Sequence, residues 1–197
     1  MKLEKLAKLY NTDKLEHGYI PYYEQHLPKR VDKLLEIGCF RGASLRMWQT
    51  HFKDAEIHTI DIFNPNLMTA EAAEAEGFIA HKGDQGDTRF LDQIKDQYDI
   101  IIDDGSHNAD HQQITFAKMF VDNLKSGGLY IIEDLHCCKE PFYWGTAVSK
   151  IEDTALGFFQ NYEKTKHLEN AFIKGDVSQL ISDTKMYMEK IVFVWKK

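Results

Sequence analysis

The sequence predicts an α/β protein built on a doubly wound, mostly parallel sheet with an antiparallel C-terminal hairpin, and three observations carry the prediction. From residue 32 onward, short apolar runs alternate with helix-like stretches, which is βαβ repetition. Runs such as Ile100-Ile101-Ile102 and Tyr130-Ile131-Ile132 are apolar throughout, as strands covered on both faces by helices require. The chain then ends in two runs, residues 185–188 and 191–195, around a tight turn at Glu189-Lys190. A hairpin of this kind supplies the antiparallel edge common on large α/β sheets.

Taken in order, Leu3, Leu6, Ala7 and Leu9-Tyr10 form a helical stripe that the turn-forming Asn11-Thr12-Asp13-Lys14 interrupts. His17-Gly18-Tyr19 and Pro21-Tyr22-Tyr23-Glu24 follow. So many polar and aromatic side chains suit a lid, and equally a surface loop leading to a helix over 22–27. Residues 1–30 are therefore set apart as an N-terminal helix and lid segment, with 31–197 as the main domain. In that domain Lys33–Ile37 is a strand and 43–51 a helix that can bury Leu45, Met47 and Trp48. A strand at 56–61 precedes a helix at 67–76 rich in Ala and Glu. A strand at 78–81, the turn at 83–87 and a helix at 88–96 lead to the strand that ends at Asp103. Residues 110–124 read as one long helix stopped by Ser126-Gly127-Gly128. A strand over 128–132 and a helix over 146–166 precede the hairpin.

A chain of 197 residues with 43% hydrophobic content is long enough for one domain with a sizeable core. Its net charge of -7, from 31 acidic and 24 basic residues, argues against a nucleic-acid partner, since phosphate binding needs a basic face. No stretch reaches transmembrane length and the N-terminus lacks an apolar signal core, so no membrane association and a cytoplasmic location are expected. The 3 cysteines, Cys39, Cys137 and Cys138, have neither disulfide nor zinc spacing. They are expected to be packed thiols.

Chemistry concentrates where two apolar runs end, at Asp103-Asp104-Gly105-Ser106-His107 and at Glu133-Asp134-Leu135-His136. If those strands are parallel neighbours, four carboxylates and two imidazoles share the rim beyond the strand ends, where open α/β sheets bind ligands. Crowded carboxylates repel one another unless a cation neutralises them, and oxygen donors with room for water suit Mg²⁺ better than Zn²⁺. The plainer alternative gives Glu133 and Asp134 a capping role and Asp104 a turn position.

Glu36-x-Gly38-x-x-x-Gly42 closes the first strand and lets the backbone approach a ligand. It is not the dinucleotide fingerprint, because Phe40 stands where the middle glycine would be. Asp61, ending the second strand, can accept both hydroxyls of a ribose. Gly83-Asp84, after the third, offers an acceptor to an adenine amino group. The three strand ends describe a nucleoside pocket without a phosphate cradle.

These motifs resemble the Rossmann-like class I S-adenosylmethionine-dependent methyltransferases. N-T-D-K, H-G-Y, L-E-I-G-x-x-x-G, D-D-G-S-H and I-E-D-L-H, spread over residues 10–136, resemble more closely the macrocin and mycinamicin group of sugar O-methyltransferases. The resemblance implies S-adenosylmethionine and Mg²⁺ as cofactors, with Asp104, Glu133 and Asp134 holding the metal and His107 as general base. It places Thr12, Asp13, Lys14 and His17 over the methionine end of the cofactor. Glu36, Gly38, Gly42, Asp61, Gly83, Asp84 and Asp103 complete the cofactor set. The implied reaction is methyl transfer to a sugar hydroxyl of a glycoside, nucleotide sugar, or polysaccharide or natural-product precursor. His111 and His136 are expected to be surface or helix-face residues, although each could orient a ligand. Cys137-Cys138-Lys139 departs from the Thr-Ser-Tyr-like residues frequent in that group, so the acceptor is not fixed by the resemblance. An N or phenolic acceptor, a non-catalytic nucleotide-binding module, and a metal-dependent hydrolase or hydroxylase remain alternatives. The N-terminal aromatics, expected to be exposed, leave room for a homo-oligomer.

Overall fold

The computed structural model describes residues 2–168, 172 and 177–197. Its centre is a seven-stranded sheet formed by β1 (Lys33–Ile37), β2 (Glu56–Asp61), β3 (Ile79–Lys82), β4 (Tyr98–Asp103), β5 (Leu124–Ile132), β6 (Ile181–Tyr187) and β7 (Ile191–Lys196). The order is β3-β2-β1-β4-β5-β7-β6. The first five strands run parallel, and β7 is antiparallel to both β5 and β6. The strand order reverses between β1 and β4, where a crevice opens beyond the carboxyl ends. Ile37 stands opposite Asp103 there, and Asp103 opposite Ile132. The expected doubly wound sheet and closing hairpin are both present.

Alternate strand residues enter two cores because side chains along a strand point to opposite faces. Leu34, Ile100, Ile102, Ile131 and Phe193 pack with α1 (Leu3–Tyr10), α2 (Ile20–His26) and α3 (Ala43–His51), through Leu3, Leu6, Tyr23 and Trp48. On the other face Leu35, Ile101, Tyr130 and Val194 meet Phe116, Phe120 and Phe159. Tyr19 and Tyr23 are fully buried, and Tyr22 stacks on Tyr187 at 4.0 Å between centroids. The N-terminal aromatics expected on the surface are therefore spent largely inside the fold. Cys39 and Cys138 are buried free thiols and Cys137 is partly buried.

Several element boundaries differ from the sequence reading, each for a local reason. The helix expected over 67–76 is α4 (Ala70–Ala75), because the Thr69 hydroxyl caps it by accepting from the Ala72 N–H. The helix expected over 88–96 shrinks to α5 (Thr88–Leu91), capped by Asp87. The long helix over 110–124 is α6 (Ala109–Thr115) followed by a π-helical turn, Phe116–Phe120. β5 then starts at Leu124 and runs through Ser126-Gly127-Gly128, the expected helix stop. Only a 3-10 turn at Ile151–Asp153 and α7 (Ala155–Thr165), capped by Thr154, fill the helix expected over 146–166. In the final hairpin Met188 and Glu189 hold the positive φ of a tight turn, one residue earlier than expected.

Candidate active site

The site is built on the close approach of the loops after β1 and β4. Gly38 has φ +91, and a Cβ there would lie 2.1 Å from the Asp104 carbonyl oxygen, so only glycine lets the loops meet. Asp61 holds the first loop open: its Oδ2 accepts from the Cys39 N–H at 2.7 Å and its Oδ1 from the Phe63 N–H at 2.7 Å. Each oxygen retains a lone pair for a hydroxyl. Gly42, at φ +74, caps α3 with its side facing Met68.

A cavity of about 620 Å³ lies over this junction. Asn11, Thr12, Asp13 and Glu16 wall it from the N-terminal segment, Gly38 to Arg41 with Ala43 and Ser44 from the first loop, and Asp104, Gly105, His107 and Asp134 from the rim; Gly42 does not line it. Thr12 Oγ1 is buried without a hydrogen-bond partner. His107 and Asp134 both sit in the left-handed region, at φ 55, the kind of backbone strain that clusters at functional sites. Asp104, His107 and Asp134 bring ligand atoms within 4.8 Å of one another. His107 Nε2 is 3.5 Å from Asp134 Oδ2, and its Nδ1 is buried without a partner. Tyr19 donates to Asp134 Oδ1 at 2.5 Å, and His17 Nδ1 stands 3.3 Å from the same oxygen.

Lys14 departs from the expectation that it meets the cofactor. It is fully buried, and its Nζ lies 2.5 Å from Asp104 Oδ2, 2.7 Å from Glu133 Oε1 and 3.1 Å from Glu36 Oε1. Burial opposes its charge, but the three carboxylates outweigh burial and hold its pKa well above the ordinary lysine value. Glu36 is likewise turned inward, bound by Ser44 and Trp48 as well as Lys14. Burial pushes the carboxyls of Asp104 and Glu133 upward, and repulsion adds to it, from Asp134 on Asp104 and from Asp104 on Glu133. Tyr23 also donates to Glu133 Oε1. Glu133 is thus held beneath the group that faces the cavity.

Asp103 is buried rather than cavity-facing. Gln85 donates to its Oδ1 at 3.1 Å and accepts from the Ser106 N–H at 2.8 Å, while Oδ2 has no partner. Burial raises the Asp103 carboxyl to about 6. Gly83 packs on the Phe90 ring, and the exposed Asp84 caps the Gly86 N–H. Neither lines the cavity. His111 meets Ser106 Oγ at 3.0 Å, and His136 lies 3.8 Å from Asp134. Tyr19, Tyr23 and Gln85 are contributors that the sequence reading left unassigned. Tyr19 belongs to the H-G-Y motif, but no local signal shows its contact with Asp134 or that of Tyr23 with Glu133, 115 and 110 residues away.

The donors at the rim fit a hard divalent ion: carboxylate oxygens of Asp104 and Asp134 face the cavity, Glu133 stands directly behind, and an unpaired imidazole nitrogen is close by. No helix of the described residues is long and apolar enough to cross a membrane.

No family model matches this chain. It is 33% identical over 184 residues to the 8-demethyl-8-(2-methoxy-alpha-L-rhamnosyl)-tetracenomycin-C 3'-O-methyltransferase of Streptomyces olivaceus, covering 85% of this chain and 45% of that protein. To the Mycinamicin VI 2''-O-methyltransferase of Micromonospora griseorubida it is 33% identical over 175 residues, 81% of this chain and 42% of the relative. The MycE methyltransferase, solved in complex with Mg, SAH and Mycinamycin VI, superimposes with a TM-score of 0.81 at 30% identity, over 100% of this chain and 54% of that one. The SAH-bound methyltransferase PaMTH1 of Podospora anserina, at 14% identity and TM-score 0.59, shares the fold. The chain spans about half the length of the curated relatives it matches.

Proposed function

This chain belongs with the mycinamicin and macrocin sugar O-methyltransferases, and from that premise we propose that it transfers a methyl group from S-adenosylmethionine to a sugar hydroxyl with the help of Mg²⁺. The observation that carries the reading is the convergence of Asp104, His107 and Asp134 on one cavity beside the Gly38 loop. The acceptor is a small molecule bearing a sugar, and the location is cytoplasmic. Residues 1–30 act as the roof of the site over the domain at 31–197.

Asp61, through the amides of Cys39 and Phe63, sets the loop that cradles the nucleoside and offers its remaining lone pairs to the ribose. Thr12 and Asp13, in the cavity wall, face the other end of the donor. Asp104 and Asp134, with Glu133 behind them, would hold Mg²⁺, and the ion would supply Lewis acidity toward the acceptor hydroxyl. His107 takes the proton of the acceptor hydroxyl as its oxygen attacks the methyl carbon and the carbon–sulfur bond of the sulfonium breaks. Asp134 Oδ2 stands 3.5 Å from His107 Nε2 and orients the imidazole. Burial of both substrates beneath the N-terminal segment supplies alignment, the main need of a direct displacement.

His107→Gln tests this. Turnover with a sugar acceptor is expected to fall about 10²–10⁴-fold, the usual share of a general base, with S-adenosylhomocysteine affinity unchanged by calorimetry. An unchanged rate, or no S-adenosylhomocysteine binding to the wild type, would overturn the proposal.

A further inference from the structure

We propose that His58, His81 and Asp96 form a second, structural site for a transition ion of the Zn²⁺ or Co²⁺ type. Their ligand atoms lie within 4.8 Å of one another. His58 and His81 sit on the adjacent strands β2 and β3 and Asp96 precedes β4, so the cluster shares no residue with the group at Asp104, His107 and Asp134.

Three features distinguish this group from a chance cluster. First, the donors converge. His58 Nδ1 is 3.0 Å from His81 Nε2, and the Tyr98 hydroxyl is 3.2 Å from the same Nδ1. Second, the outer nitrogen of His58 faces a carboxylate, with Nε2 3.4 Å from Glu56 Oε2. A carboxylate behind a histidine is the arrangement that fixes the ligand tautomer in metal centres: the outer nitrogen keeps its proton and the inner nitrogen presents its lone pair to the side of His81 and Tyr98. Third, Lys33 Nζ bridges Glu56 Oε2 at 2.9 Å and Asp96 Oδ1 at 2.6 Å. It orients both carboxylates and cancels one of their two charges, so the group is net anionic before an ion arrives.

The donor set decides the ion. Two imidazoles with one carboxylate suit Zn²⁺ and its neighbours, whereas Mg²⁺ prefers oxygen alone. His58 is 2% exposed, while His81 and Asp96 are partly open and give the ion a way in. On binding, the proton between His58 and His81 moves to the far ring nitrogen of His81. The ion would tie β3, an edge strand of four residues, to β2 and to the crossover entering β4.

The test uses the full chain, stripped with chelator, titrated with Co²⁺ in excess Mg²⁺. An Asp104→Asn background removes a donor from the catalytic rim, so that the two sites are read apart. Retention of one Co²⁺ with the visible absorption of a nitrogen-ligated, low-coordinate ion is expected, together with a raised melting temperature. His81→Gln and Asp96→Asn should each weaken binding at least about tenfold. Both positions are partly exposed and keep the assay informative if His58→Gln fails to fold. Absence of Co²⁺ binding in Asp104→Asn, or undiminished binding in His81→Gln, would refute the site. Neither result depends on whether the chain transfers methyl groups.

Discussion

At the residue scale, the centre of the site is a buried, salt-bridged lysine: the resemblance put Lys14 over the cofactor, and the fold puts it among three carboxylates. Asp104, Glu133 and Asp134 were legible because acids directly after apolar runs stand out. Lys14 was legible as a residue of the N-T-D-K motif but not as an ion-pair partner, since Asp104 and Glu133 are 90 and 119 residues away. Removing a buried charge strands its partners, at a cost of about 3–5 kcal/mol. Lys14→Met should therefore lower stability by about that amount in chemical denaturation; a loss near zero would mean that Lys14 is not the counter-ion of the cluster. Asp103 gives the pH dependence. Its folded value of about 6 lies above the ordinary 3.8, so the fold favours the protonated acid. That contribution is full below 3.8 and lost as pH rises through about 6. In metal-free protein Asp103→Asn should remove roughly 3 kcal/mol of pH dependence across this window. Parallel stability–pH curves for variant and wild type would count against it.

At the scale of elements, what the sequence disclosed was what short-range pattern controls. Continuous apolar runs gave β4 and the second half of β5, short runs broken by Glu36 and by His58-Thr59 gave β1 and β2, and the E-x-G-x-x-x-G spacing gave the loop between β1 and α3. What stayed hidden depended on tertiary contact. Residues 116–120 widen into a π-helical turn where Phe116 and Phe120 pack around Tyr130. Asn123 is claimed by the carbonyls of Ile94 and Asp96, which turns the chain into β5 early. The Gly38 loop offers the sharpest test of an element. In Gly38→Ala the new methyl would meet the Asp104 carbonyl at 2.1 Å while φ stays at +91. The backbone strain alone costs about 1–3 kcal/mol, and the loops after β1 and β4 must part. S-adenosylhomocysteine affinity should drop at least about tenfold, more than the melting temperature alone explains. Wild-type affinity in this variant would show that the close approach is dispensable.

At the scale of the whole molecule, the carboxylate cluster is where the N-terminal segment and the strand ends are fastened together. Tyr19, Tyr23 and Lys14 reach from that segment to Asp134, Glu133 and Asp104, so an ion bound at the rim would be coupled to the seating of that segment. An ion that binds only the folded chain stabilises it by about 2.7 kcal/mol at a hundred times its dissociation constant. For a domain of this size that corresponds to a rise in melting temperature of roughly 5–10 °C. Mg²⁺ added to chelated protein in the presence of S-adenosylhomocysteine should produce such a rise, and Asp134→Asn should largely abolish it. The same titration separates the two ion sites, because Mg²⁺ has little affinity for the imidazoles of His58 and His81. A shift that survives in Asp134→Asn would place the ion somewhere other than the rim and detach the metal from methyl transfer. No shift in the wild type would leave Lys14 as the cation that neutralises the cluster, and His107 would then have to activate the hydroxyl without a metal.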